Sequence, residues 1–230
     1  MSRIDQDSFI AACSRGDTHT VNKALVKKER RKKIFRGKLE PLFDINGEGR
    51  YGNTALTSAA SMGETSTVKL LLENGAHVNI SDKSFNTAII HAVSEGHTET
   101  VKALIEAGAD VNWKNELGMC ALLYAVSRSS PEIVRMLLDA GASTDVTGFY
   151  GGTAFHLAAK RGDAEVMQLL FGRGIDIDAR NDAGKTALKI ASESKYRVRK
   201  SSSPERESDY EEIERLLVSN GARQHGLFWD

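Results

Sequence analysis

The run Thr153-Ala154-Phe155-His156-Leu157-Ala158-Ala159, closed by Gly162, carries a capping threonine, two alanines four residues apart and a bulky apolar residue between them. A threonine hydroxyl ahead of such a run can accept an orphan amide hydrogen of a first helical turn. Ala154, Phe155 and Ala158 then share one helix face, which predicts a short helix stopped by the glycine. Thirty-three residues to either side the same pattern returns. Ala55, Ala88, Ala121, Ala154 and Ala187 form one register, and Ala59, Ala92, Ala125, Ala158 and Ala191 form a second. A third holds Leu56, Ile89, Leu122, Phe155 and Leu188. Three registers in phase over five units establish an internal repeat before any element is assigned.

Each unit predicts two helices. The first follows Thr54, Thr87, Cys120, Thr153 or Thr186 and breaks at Gly63, Gly96, Ser129 or Gly162. The second is an aliphatic run such as Val68-Lys69-Leu70-Leu71-Leu72, ending at Gly75, where a left-handed C-cap is expected. Polar turn chemistry follows, for example Asn181-Asp182-Ala183-Gly184. Helices this short cannot bury both apolar faces alone, so neighbouring units must stack.

The 33-residue period and the Thr153-Ala154-Phe155-His156-Leu157-Ala158 run resemble the ankyrin repeat with its T-P-L-H-x-A signature. The segments Gly75–Asn79 and Gly108–Asn112 resemble that family's unit junctions. Alanine replaces the family's proline in all five copies, which gives up some preorganisation of the first turn. The resemblance implies an all-α solenoid of helix-turn-helix units with short β-hairpin-like turns, about six repeats including a degenerate N-terminal one. The expected organisation is a degenerate first repeat over 1–46 with a basic insertion at about 27–40, then four regular repeats over 47–178. A C-terminal repeat spans 179–222 with a serine-rich insertion at about 194–209, and an apolar tail occupies 223–230. Each terminal repeat is 14 residues longer than the regular ones, since Gly16 to Gly63 and Gly174 to Gly221 both span 47 residues.

Composition narrows the function. Among 230 residues, 31 Lys and Arg balance 31 Asp and Glu, which argues against a surface that coats nucleic acid or an acidic membrane as a whole. Cys13 and Cys120 are too few for a disulfide framework or zinc site, so a reducing, intracellular setting, cytoplasmic or nuclear, is expected. No apolar run approaches a membrane span, and residues 1–9 lack the apolar stretch of a secretory leader. Gly47-Glu48-Gly49-Arg50-Tyr51-Gly52 spells G-x-G-x-x-G, but a dinucleotide fingerprint needs a buried strand before it. Here Asp44-Ile45-Asn46 precedes it, and Gly52 falls on the repeat turn shared with Gly118, Gly151 and Gly184. The six histidines show no metal-ligand spacing. The expectation is a protein that is not an enzyme, with no cofactor and no metal.

The resemblance carries partner contacts onto two turn positions before the repeat glycine, one after it, and two at the end of each first helix, all on one concave face. Together with Phe85 at the glycine position and Trp113 beyond Asn112, this selects Tyr51, Met62, Phe85, Glu95, Trp113, Leu117, Met119, Arg128, Phe149, Tyr150, Lys160, Arg161 and Lys185. Aromatic residues and arginine are the side chains most enriched at binding hot spots, and these cluster by position rather than scatter. The bland alternative is that neighbouring tips pack on one another. The implied function is a protein-interaction module, an adaptor or recruiter for a protein or peptide, acting as a monomer; a regulatory or inhibitory subunit of an enzyme and a pathogen effector are the alternatives. Nucleic acid is not an expected partner.

Three further segments stand outside the repeat. Residues 27–38 hold eight basic side chains and one acidic. Lys27, Lys28, Arg30, Arg31, Lys32 and Lys33 read either as a nuclear-import or acidic-partner patch or as a helical extension with a solvated charged face. Ser202, three residues after Arg199 and two before Pro204, reads as a candidate phosphosite in a loop. The tail Gly226-Leu227-Phe228-Trp229-Asp230 reads as a cap on the last repeat or as a docking peptide.

Overall fold

A computed structural model describes residues 5–34, 43–200 and 204–223. Twelve α-helices occur among them, in six pairs. The chain divides into two compact units, Met1–Glu116 and Leu117–Asp230.

In the first unit, α1 (Gln6–Ser14), α3 (Ala55–Ser61) and α5 (Ala88–Glu95) are the leading helices of the three repeats. They pack side by side in that order, and α2 (Thr18–Ile34), α4 (Thr65–Glu73) and α6 (Thr98–Glu106) form the second row. Helices of seven to nine residues are unstable alone in water, so the rows are held by what they bury. Ala55, Ala59, Ala88 and Ala92 are fully buried, letting the leading helices approach closely, while Leu56, Ile89, Leu71 and Leu104 fill the space between rows. The opening repeat departs from this recipe by using Phe9, whose ring stacks on Phe43 at 4.0 Å. Gln6 ties α1 to the junction segment, donating through Nε2 to the Asp44 and Gly47 carbonyls and accepting the Asp44 amide.

In the second unit, α7 (Ala121–Ser127), α9 (Ala154–Arg161) and α11 (Ala187–Lys200) lead, backed by α8 (Pro131–Asp139), α10 (Ala164–Leu170) and α12 (Pro204–Ser219). Pro131 occupies the first turn of α8, where its missing N–H is not needed. Residues 194–200 and 204–209 are helical rather than the loop expected from their serine and charge content. Residues 194–200 extend α11 to 14 residues, and α12 reaches 16. Tyr210 of α12 packs against Gly162 and donates its hydroxyl to the Lys160 carbonyl at 3.1 Å, so the long final pair is anchored on α9. Glu214 of α12 accepts from Ser192 at 2.6 Å and pairs with Lys195, both on α11.

The breaks between paired helices follow the expected chemistry, with Gly16, Gly63, Gly96 and Gly162 in the left-handed region. Ser129 adopts it too, at φ 57°. The capping threonines behave unevenly. The Thr54 hydroxyl accepts the Thr57 amide at 3.2 Å, whereas the Thr87 hydroxyl is buried with no partner among the described residues.

Candidate functional site

Between repeats the chain makes a tight turn that projects past the helices. Gly49 N–H donates to the Asn53 carbonyl and Gly52 N–H returns to the Gly49 carbonyl; the turns at 82–86, 148–152 and 181–185 repeat both bonds. The backbone must turn through the left-handed region at the fourth residue of each tip, as Gly52, Gly118, Gly151 and Gly184 do with φ of 66–78°. Phe85 occupies the same position at φ 57°, and Tyr150 is left-handed at φ 56° immediately before Gly151. That region costs a residue bearing a Cβ about 1–2 kcal/mol, so two aromatic rings are displayed here at a cost glycine would avoid.

In the first unit, Tyr51 is the most exposed large apolar side chain described, at 85%, and Met62, Phe85 and Glu95 are exposed as well. Neighbouring tips are joined by Lys83 N–H donating to the Gly52 carbonyl at 3.2 Å. Trp113 is half-buried, and its indole N–H donates to the Phe85 carbonyl at 2.8 Å, while Asn115 and Asn86 join side chain to side chain at 2.8 Å. Trp113 therefore braces a tip as much as it displays a ring. Sequence reasoning missed a second brace: Asp82 accepts the Ser84 and Asn86 amides through Oδ1, both at 2.9 Å, and meets His91 Nε2 through Oδ2 at 2.7 Å. Only the nine-residue spacing of a turn aspartate and a helical histidine hinted at it.

In the second unit, Leu117, Phe149 and Tyr150 are exposed, the last at 79%, with the Phe149 and Tyr150 rings 5.7 Å apart and tilted by 42°. Arg128, Lys160 and Arg161 are exposed at the ends of α7 and α9. Lys185 is half-buried and paired with Glu193 at 2.6 Å, which is itself 3.6 Å from Arg197. Met119 departs from the expectation. Only 9% exposed, it lies under the next tip, with its sulfur where a Cβ on Gly148 would stand, so it fills space beneath the turn rather than facing a partner. Tyr196, in the extension of α11, was missed; its ring is exposed and has the Lys200 ammonium 4.6 Å from its centroid.

His156 shows how the signature residue acts. Its Nδ1 accepts the Thr153 amide at 3.1 Å, so Nε2 carries the proton and donates to the Lys185 carbonyl of the next tip at 2.8 Å. Burial holds its pKa below the ordinary histidine value, although the carbonyl contacts oppose that shift. The ring is a neutral strut between repeats. Burial likewise pushes the Cys13 thiol up to about 12, which keeps it protonated and unreactive at neutral pH. Junction side chains add similar struts: Asn46 accepts the His77 amide at 2.8 Å, Asn79 the Asp110 amide at 2.7 Å, and Asp178 the Arg223 amide at 2.9 Å.

The G-x-G-x-x-G run is consumed by the first regular tip, with no strand among the described residues 43–46 before it, so it lacks the strand-turn-helix setting of a phosphate cradle. Among the described residues no three His, Cys, Asp or Glu side chains converge as a metal site, and no helix is long and apolar enough to cross a membrane. A shallow polar groove between α2 and α4 is lined by His19, Lys69 and Glu73, away from the tips. Of the basic run, the backbone of residues 27–33 is helical within α2, but the side chains of Lys27, Lys28, Arg30, Arg31, Lys32 and Lys33 lie outside the described residues, as do Ser202 and the tail over 226–230.

Two family models match the chain. One, described as ankyrin repeats (3 copies), covers residues 3–82 and 80–148; the other, described as ankyrin repeats (many copies), covers 145–191. No curated protein matches the chain significantly.

Proposed function

This chain belongs to the ankyrin-repeat family, and from that starting point we propose that it is a non-catalytic adaptor or recruiter that binds a protein or peptide through its tips and the ends of its leading helices. Ankyrin repeats generally mediate protein–protein interaction, and proteins built from them are generally non-catalytic scaffolds. One observation carries the reading to these residues. Of the nine large apolar side chains exposed among the described residues, six are Tyr51, Met62, Phe85, Leu117, Phe149 and Tyr150, all at tip or helix-end positions. Scattered single exposures are ordinary; concentration in one structural register is the pattern of a contact surface.

The test is affinity capture from cell extract with quantitative mass spectrometry, using three versions of the full chain. The intact chain is compared with Tyr51→Ala/Phe85→Ala in the first unit and Phe149→Ala/Tyr150→Ala in the second. A protein captured stoichiometrically by the intact chain and lost with either pair is the expected result. Capture indifferent to both pairs, with each variant shown to be folded by circular dichroism, would reject the tips as the contact surface.

A further inference from the structure

We infer that the tip and helix-end surface of the second unit takes an extended acidic peptide segment that also carries an apolar or aromatic anchor. The inference rests on the partner-binding reading above and adds the chemistry of the partner.

The charge distribution supplies the first half of the argument. In the second unit the leading helices end in cations: Arg128 caps α7, Lys160 and Arg161 are the last residues of α9, and Arg197 stands in the last turn of α11. Where α7 and α9 pack side by side, Arg128 and Arg161 occupy the same repeat position at the ~10 Å interval of packed helices, while the matching positions on α11 are Glu193 and Ser194, with Arg197 about one turn beyond. In the first unit neither α3 nor α5 has a basic residue in its last turn and they end beside Met62 and Glu95, while Arg15 caps α1 as Arg128 caps α7. Of the carboxylates near the end of α9, Asp163 accepts the Val166 amide and Asp209 lies beside Gly162. Glu193 is taken up by Lys185 and Arg197, Glu207 lies 3.8 Å from Arg199, and Lys160 and Arg161 have no ion-pair partner among the described residues. Asp182 is the acidic group at the last tip.

The second half is the Phe149–Tyr150 pair. Tyr150 is held left-handed by its neighbours: Gly148 N–H to the Gly152 carbonyl, Gly151 N–H to the Gly148 carbonyl, and Asp182 N–H to the Tyr150 carbonyl at 2.9 Å. A strained backbone that only pushes a ring into water gives the fold nothing, and such strain concentrates at ligand clamps. The eight residues of α9 separate the aromatic tip from Lys160 and Arg161, about 12 Å at the helical rise. An extended peptide spans that distance in about four residues. The occupant is therefore a segment with an apolar or aromatic residue and, about four residues away, two or more carboxylates, which arginine receives through paired hydrogen bonds. Single-stranded nucleic acid fits less well, because its sites interleave aromatic rings with the cations along the strand, whereas here rings and cations stand at opposite ends of α9.

The probe is a fluorescein-labelled dodecapeptide with tryptophan and leucine at one end and, four residues on, a run of Asp and Glu, titrated against the full chain by fluorescence anisotropy. Its isosteric Asn/Gln analogue and a dodecamer of dT are titrated alongside. Saturable binding of the acidic peptide is expected, with the amide analogue weaker by tenfold or more. Lys160→Glu/Arg161→Glu and, separately, Phe149→Ala/Tyr150→Ala should each weaken binding by about tenfold, the size of a modest hot spot. Lys69→Glu, in the groove between α2 and α4 away from the tips, should leave it unchanged, and circular dichroism should show each variant folded. Absence of saturable binding, indifference to the charge reversal, or tighter binding of the dT oligomer would each overturn the inference. Should the acidic peptide fail while partner capture still depends on the tip aromatics, the acidic chemistry falls and the contact surface stands. If capture is indifferent as well, both fall.

Discussion

His156 is held neutral between an amide it accepts from and a carbonyl it donates to. Protonating Nδ1 would set a second donor against the Thr153 N–H, and burial opposes the charge as well. The folded state thus resists a proton that the unfolded chain takes up below about pH 6.5. Stability from this residue is complete above that value and declines as the pH falls through the lowered folded pKa. Thermal melts at pH 7.5 and 5.5 should show a drop that His156→Gln reduces, and an unchanged slope in that variant would remove the histidine from the account. Phe85 is the opposite case, a residue whose backbone works against the fold. Phe85→Gly relieves a left-handed penalty of about 1–2 kcal/mol while adding about 0.5–1 kcal/mol of unfolded-state freedom. Urea unfolding should therefore show a net gain centred on about 0.75 kcal/mol, within a span of about 0–1.5 kcal/mol, accompanied by weaker partner capture.

At the scale of elements, the helix pairs of the regular repeats were legible because two alanine registers and one aliphatic register mark each leading helix with no competing pattern. The final pair was not. Residues 194–209 are rich in serine and charge, which reads as loop, yet buried Ser194 and half-buried Val198 continue the stripe of Ala187 and Ala191 without a helix breaker. Ion pairs compensate for the thin apolar face: Lys195 to Glu214 between the helices, and Arg197 to Glu193 one turn apart. Met119 was misread for a related reason, since a turn position says where the backbone goes and not whether the next tip lies over the side chain. Glu214→Ala should cost about 1–2 kcal/mol, because it strands Ser192 and Lys195 together. Denaturant titration should show Glu214→Gln losing less, since its amide oxygen can still accept from Lys195 while its NH2 donates to the Ser192 hydroxyl.

For the whole molecule, the repeat plan makes stability a sum of local terms, each repeat drawing on its neighbours and not on a common centre. Leu137 in α8 is fully buried, and Leu137→Ala should cost about 2–5 kcal/mol at that site. Hydrogen exchange followed by mass spectrometry should place the loss in α7–α10, with α1 and α2 keeping their protection; uniform loss along the chain would mean a single cooperative core. The same plan explains what sequence could not reveal. The period dictates where side chains stand, but the choice of side chain at the fully exposed tip and helix-end positions is free of the fold, so only its chemistry can speak for a partner. There the left-handed aromatics have a thermodynamic consequence. Their backbone is already immobilised by bonds on either side, so a docking partner has only two side-chain torsions per ring left to freeze, an entropy cost of about 0.5–1.5 kcal/mol per ring rather than that of a whole loop. The ordering that an adaptable loop would defer until contact has been completed here during folding, which favours persistence of a complex once formed.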